Sequence, residues 1–211
     1  MDPVETTVRA VRDVGPDTVA IDLATPEGFV AAPGQFVKLT AYLDDEVSRF
    51  YTVSSPDTEE TFELTVSYDP EEGGALSEYL LELEAGSAVT ITGPFGGDYY
   101  DGEPRSLVLA GGPGVGPAVG IAEAALRDGN EVTVVYRDDE PVHEERLAAA
   151  AAAGAEVYVL GADAAVTDAV VEAYDGQQLF VYGFDAFVDL AERAVEDAGG
   201  SMEGAKVENF G

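Results

Sequence analysis

The sequence predicts two halves of different class, a small antiparallel β-barrel followed by a parallel sheet covered with helices. Two observations predict it. Residues 1–101 break into short alternating strands punctuated by turn residues, whereas residues 105–211 alternate buried apolar runs with helical stretches. Asp101-Gly102-Glu103-Pro104 lies between them as a linker.

In the first half, residues 7–14 alternate in part and residues 17–23 alternate cleanly, with Gly15-Pro16 as a hairpin signal. Residues 36–40 follow Pro33-Gly34-Gln35, and Asp44-Asp45 marks the next turn. Residues 49–54, 61–68 and 88–92 complete about six short strands, the number a small antiparallel barrel needs. One helix is expected over residues 76–83. In the second half, residues 107–110, 132–136, 157–160 and 179–182 read as buried strands, and residues 205–210 as a final strand. Helices fall over residues 117–127, 141–153, 165–174 and 186–198. Such βα alternation implies a parallel sheet that takes ligands at the carboxyl ends of its strands.

Composition excludes several classes. The chain has 211 residues, enough for a real core, and its hydrophobic content of 46% argues against disorder. No apolar run approaches the ~20 residues that span a bilayer. The acidic, alternating start Met1-Asp2-Pro3-Val4-Glu5 is unlike a secretion signal, and a cytoplasmic protein is expected. Cysteine is absent, which removes disulfides, thiolate-held iron–sulfur clusters and cysteine nucleophiles. The formal charge of −32 comes from 42 acidic residues spread end to end against 10 basic ones. Such a surface is similar to that of a salt-loving archaeon, where salt screens self-repulsion, and is a poor partner for nucleic acid. His143, alone near a helix start, is expected at the surface, and no metal-binding constellation is visible.

Four motifs carry the chemistry. Arg49-Phe50-Tyr51-Thr52-Val53-Ser54-Ser55-Pro56 offers a guanidinium suited to phosphate, a flat ring suited to a heterocycle, and three hydroxyls. In an extended strand Arg49 and Tyr51 share a side, with Phe50 and Thr52 opposite. Gly73-Gly74-Ala75-Leu76-Ser77 opens a helix, where free N–H groups favour an anion. Gly93-Pro94-Phe95-Gly96-Gly97 closes the first half, and Gly111-Gly112-Pro113-Gly114-Val115-Gly116-Pro117 forms a second glycine-rich turn from strand to helix.

In this order the motifs resemble the ferredoxin–NADP reductase-like family of flavin and nicotinamide oxidoreductases, over nearly the whole chain. The resemblance implies that Arg49 with Gly73, Gly74 and Ser77 holds the flavin phosphates, within a cradle that includes Phe50 and Ser54. It implies that Tyr51 packs on the isoalloxazine and that Thr52 approaches the nitrogen exchanging hydride. FAD is the commoner family choice, with FMN the alternative. Gly111, Gly112, Gly114 and Pro117 match the family's contact with the nicotinamide dinucleotide, while Pro113 replaces its usual Thr. Asp138 and Asp139 favour NADH by repelling a ribose phosphate, and Arg137 argues the other way.

Tyr182-Gly183-Phe184 stands where many relatives have Cys-Gly-Pro. Tyr182 could therefore gate the pocket or occupy the nicotinamide slot beside Gly183. Glu208 is a polar neighbour of the flavin, and Phe210 is a flavin cover or simply part of a buried last strand. The implied activity is electron transfer from NADH through flavin to a separate acceptor, such as a ferredoxin, flavodoxin or oxygenase component. Two alternatives stay open: a flavin-binding electron-transfer subunit of a larger complex, and a non-enzymatic sensor with a degenerate nicotinamide site.

Overall fold

The computed structural model describes residues 2–68, 74–161 and 163–211. The first half is an antiparallel sheet of β1 (Val4–Gly15), β2 (Thr18–Ala24), β3 (Phe36–Tyr42), β4 (Glu46–Thr52), β5 (Thr61–Ser67) and β6 (Ala88–Phe95). Its order is β4-β3-β6-β1-β2-β5, so β4 and β5 are the edges. The chain running on from β4 folds onto β5: Val53 bridges Leu64, and the Ser54 N–H donates to the Glu63 carbonyl at 2.8 Å. That contact brings the two ends of the sheet together and curls it towards a barrel. Period-2 burial then gathers Val37, Leu39, Val53, Phe62, Leu64, Val66 and Ile91 inside, each fully buried. A short helix, α1 (Ala75–Leu81), plugs one end with Leu76 and Leu80.

The second half is a parallel sheet of β7 (Arg105–Gly111), β8 (Glu131–Arg137), β9 (Glu156–Leu160), β10 (Gln178–Gly183) and β11 (Lys206–Asn209). Its helices are α2 (Val115–Asp128), α3 (Glu144–Ala153), α4 (Val166–Ala173) and α5 (Asp185–Asp197). The order β11-β10-β7-β8-β9 means that the chain builds outward from β7, then returns to β7's other side. The switch point lies between β7 and β10. Side-chain alternation splits the core: Val108, Ala110, Val134, Tyr136, Phe180 and Tyr182 face α2 and α3, while Leu107, Leu109, Val135, Leu179 and Val181 pack against α4 and α5.

Register sets the carboxyl edge. Gly111 aligns with Arg137, and Gly183 aligns with Asn209, so four loops open in one row. The expected helix over 141–153 begins later, at Glu144, because His143 holds a left-handed φ of 57°. No helix among the described residues is long and apolar enough to cross a membrane.

Candidate active site

A cleft of about 680 Å³ runs between the two sheets. The barrel contributes Phe36, Ser48, Arg49, Phe50, Tyr51, Thr52, Ser54, Thr65, Ser67 and Ser77 to its wall. The parallel half contributes Pro113, Pro117, Phe184, Glu208, Asn209 and Phe210. Residues separated by most of the chain thus meet at one place, at the switch point where open α/β sheets take ligands.

On the barrel side, β4 carries Arg49 across the start of α1. Its Nη1 donates to Ser77 Oγ at 3.1 Å. A Cβ on Gly74 would stand 2.8 Å from Arg49 Nη2, so the tip of the guanidinium would have to shift to admit one. Gly73 lies outside the described residues. Tyr51 is half-buried, and burial raises its pKa against the opposing effects of Ser77 and Arg49. Its hydroxyl has no well-formed hydrogen bond. Phe36, Phe50 and Phe95 form the outer lip, with Phe36 edge-on to Phe50 at 5.5 Å between ring centroids. Phe50 is 61% exposed.

Where the halves meet, the Thr52 hydroxyl donates to Glu208 Oε1 at 3.1 Å. Glu208 Oε2 is buried and accepts nothing. Burial, with a smaller push from Asp98, raises the carboxyl to about 7 despite the Thr52 bond. A carboxyl so placed exchanges protons near neutrality.

On the other wall, Gly112 takes a φ of 54° in a 3-10 turn, Gly112–Gly114, between β7 and α2. The neighbouring glycines answer packing demands from the protein itself. A Cβ on Gly111 would overlap the Phe187 ring, one on Gly114 the Tyr182 carbonyl, and one on Gly183 would sit 2.8 Å from Phe187. Arg137 and Asp138 share this edge. Asp138 accepts from the Tyr136 hydroxyl at 3.0 Å and from the Glu140 N–H at 3.1 Å, which fixes its carboxylate.

Two expectations need correction. Tyr182 neither gates the cleft nor fills it. Its ring is fully buried on the inner face of β10, and its hydroxyl donates to the Asp98 carbonyl at 3.2 Å. The strand's alternation turns the side chain into the seam behind the cleft. His143, expected at the surface, is 3% exposed, with Nε2 2.8 Å from Thr65 Oγ1. Burial, then the cations Arg146 and Arg12, lower its pKa to about 3, so it is neutral.

Sequence reasoning missed Phe184, which lines the cleft edge-on to Phe210 at 6.0 Å, although it stands in a motif already singled out. Phe36 and Thr65 carried no local signal.

The residues fit a flavin. An exposed cation bonded to Ser77, and two residues with a buried polar atom lacking a partner, Tyr51 at Oη and Glu208 at Oε2, line one cleft. A barrel, a parallel sheet and this cleft between them define a class, the two-domain fold of ferredoxin–NADP reductase-like flavoproteins.

The comparisons agree. Residues 5–100 match the oxidoreductase FAD-binding domain family. Ferredoxin–NADP reductase B of Sorangium cellulosum is 35% identical over 156 residues, covering 65% of this chain and 63% of that protein. A probable dihydroorotate dehydrogenase B (NAD(+)) electron transfer subunit of Methanocella arvoryzae is 31% identical over 157 residues, covering 71% and 55%. The chain thus spans between half and two thirds of these relatives' length. An Amycolatopsis cytochrome P450 reductase superimposes over 99% of this chain and 70% of its own, with a TM-score of 0.81 and 25% identity. These matches make the chain similar to the ferredoxin–NADP reductase-like FAD-binding oxidoreductases, with the FAD-binding domain match falling on residues 5–100.

Proposed function

We propose that the chain is a flavin-dependent NAD(P)H oxidoreductase that takes electrons from NADH and passes them to a separate acceptor, such as a ferredoxin, flavodoxin or oxygenase component. In this reading residues 1–101 hold FAD and residues 105–211 hold the nicotinamide dinucleotide. The observation that carries it is the cleft itself, which sets Arg49, Tyr51 and Thr52 opposite Pro117, Phe184 and Glu208. Bound flavin supplies the chemistry that protein side chains lack, accepting a hydride and releasing electrons singly.

The protein's own residues then have separable tasks. Arg49 and Ser77 bind phosphate oxygens, and Gly74 gives them room. Tyr51 offers a flat face, and Phe210 covers the opposite one. Thr52 orients Glu208, which holds or releases a proton at Oε2. Pro113, Pro117 and Phe184 bound the nicotinamide entrance and keep water out. Asp138, held by Tyr136 and Glu140, favours a ribose hydroxyl over a ribose phosphate.

Anaerobic mixing in a stopped-flow instrument tests this reading. Purified protein should be yellow, and NADH should bleach it faster than NADPH. Reduction by dithionite but by neither nucleotide would replace the enzyme with a sensor. That sensor reading rested on Pro113 and Tyr182, and Tyr182 lies outside the cleft. A subunit of a larger complex is the second reading, supported by the relative named as an electron transfer subunit.

We also read the spread of 42 acidic residues as adaptation to high salt. Melting temperature should then rise steeply from dilute buffer to molar potassium chloride, as screening removes self-repulsion. A flat profile would reject it.

A further inference from the structure

A polar cluster lies behind the cleft wall. Arg146, in the first turn of α3, is four-fifths out of solvent and reaches three elements. Its Nη2 donates to the Ser54 carbonyl at 2.8 Å. Nε and Nη2 grip both oxygens of Glu123 on α2, each at 2.8 Å, and Nη1 meets Glu63 Oε1 on β5 at 2.5 Å. Ser54 is two residues beyond Thr52. Glu123 is on the helix whose first turn carries Pro117. The guanidinium therefore ties the flavin-side strand to the nicotinamide-side helix.

Close packing reinforces the tie. A Cβ on Gly116 would stand 2.7 Å from Ser54 Oγ and 2.8 Å from Thr65 Oγ1, and one on Gly120 would stand 2.9 Å from the Ser54 carbonyl. Helix α2 thus rests its backbone directly on Ser54 and Thr65. The hydroxyls of those two residues are 2.8 Å apart, and His143 Nε2 meets Thr65 from behind. Ser54, Thr65 and His143 Nε2 thus form a hydrogen-bonded row under α2.

We propose that Arg146 is a positioning residue that sets the separation of the two cleft walls, acting through Ser54 and Glu123, and thereby the distance over which hydride passes. The proposal rests on the oxidoreductase reading above. The transfer it serves moves one hydride, with its electron pair, from NADH, which leaves as NAD⁺, to the flavin. Reacting atoms must approach to roughly 3–3.5 Å, and a displacement of ~1 Å costs on the order of 100-fold in rate. Lysine in this place would keep the charge but lose the planar fork that serves Ser54 and Glu123 together.

Two variants disturb the seat from opposite sides. Arg146→Lys loosens the tie, and Gly116→Ala inserts a methyl group under α2. Both should retain stoichiometric flavin. With NADH, the limiting rate of flavin reduction should fall ~10- to 100-fold. The apparent Kd for NADH should stay within about threefold, because the ligand contacts themselves are untouched. The long-wavelength charge-transfer absorbance of the nicotinamide–flavin pair should weaken. In cofactor-free protein, hydrogen exchange over residues 52–55 and 115–120 should quicken in Arg146→Lys, with β2 unchanged.

If both variants match the wild type in limiting rate and charge-transfer absorbance, the positioning role is wrong. Loss of flavin from both also overturns it, since the seat then serves the fold alone. If only one variant loses flavin, the other decides. Failure of both NADH and NADPH to reduce the wild type removes the oxidoreductase reading itself, a result distinct from unaffected variants of an active protein.

Discussion

Glu63 and Glu208 are the same side chain in two kinds of surroundings, one in the seam behind the cleft and one at its wall. Burial raises the pKa of both. At Glu63 the guanidiniums of Arg146 and Arg12 oppose that rise, and each oxygen accepts a charged hydrogen bond, at 2.5 and 2.7 Å. At Glu208 the one opposing group among the described residues is the Thr52 hydroxyl, Asp98 adds to the rise, and one oxygen has no partner. A chain with only 10 basic residues has placed two of them on a carboxylate that fastens and none on the one at the cleft. The difference separates a carboxylate paired with two cations from one paired with a single hydroxyl.

The comparison breaks first at Glu63. Glu63→Gln would leave Arg12 and Arg146 facing a neutral amide, and the loss of one member of a buried pair costs about 3–5 kcal/mol. Chemical denaturation should show it as a lower midpoint with unchanged slope. A loss below ~1 kcal/mol would mean that the seam is held by packing alone.

A smaller effect is expected at Arg49, the cation that does face the cleft. Arg49→Met should weaken flavin binding by about 1.5–3 kcal/mol, a roughly 10- to 100-fold rise in Kd by fluorescence titration, while the apoprotein melts as before. Unaltered affinity would remove Arg49 from the phosphate cradle.

The finest test is at Glu208. Its folded pKa lies above the unfolded value, so the fold favours the protonated form. The stability this group contributes is full below about 4.5 and is lost as pH rises through about 7. Glu208→Gln mimics the protonated form. It should stabilise the protein by about 1–2 kcal/mol at pH 8 and leave it unchanged at pH 4. In the flavin reduction rate, the wild type should show an inflection near 7 that the variant lacks. An inflection that persists in Glu208→Gln assigns the proton to another group.

Much of this was legible from residue patterns because those patterns are local. Period-2 runs such as 61–68 mark strands wherever one face is buried, and glycine-rich turns mark the carboxyl edge of the parallel sheet. Arg49 to Thr52, with Ser54, forms part of the cleft wall from one short stretch, so its clustering could be read directly. The seam was not legible. Arg146 meets Ser54 across 92 residues and Glu63 across 83, and no local pattern encodes such meetings. Tyr182 was misplaced for a related reason. Alternation says that Phe180 and Tyr182 share a face of β10, but only the packed halves reveal that this face turns into the seam. His143 defeated the usual rule for a lone histidine because its left-handed backbone tucks the ring under Thr65.

The Tyr182 contact also bears on how such proteins are recombined. A side chain at Gly34 would overlap the Tyr182 hydroxyl, and the same hydroxyl is anchored on Asp98 in the segment following β6. Residues 34, 98 and 182 therefore form a matched set drawn from both halves of the chain. A hybrid that joins this parallel half to a barrel with a side chain at position 34 would drive a ring against that side chain. The reverse hybrid, with cysteine at position 182, would leave a hole where the ring had been. Exchange of halves between relatives should succeed only when this trio travels together.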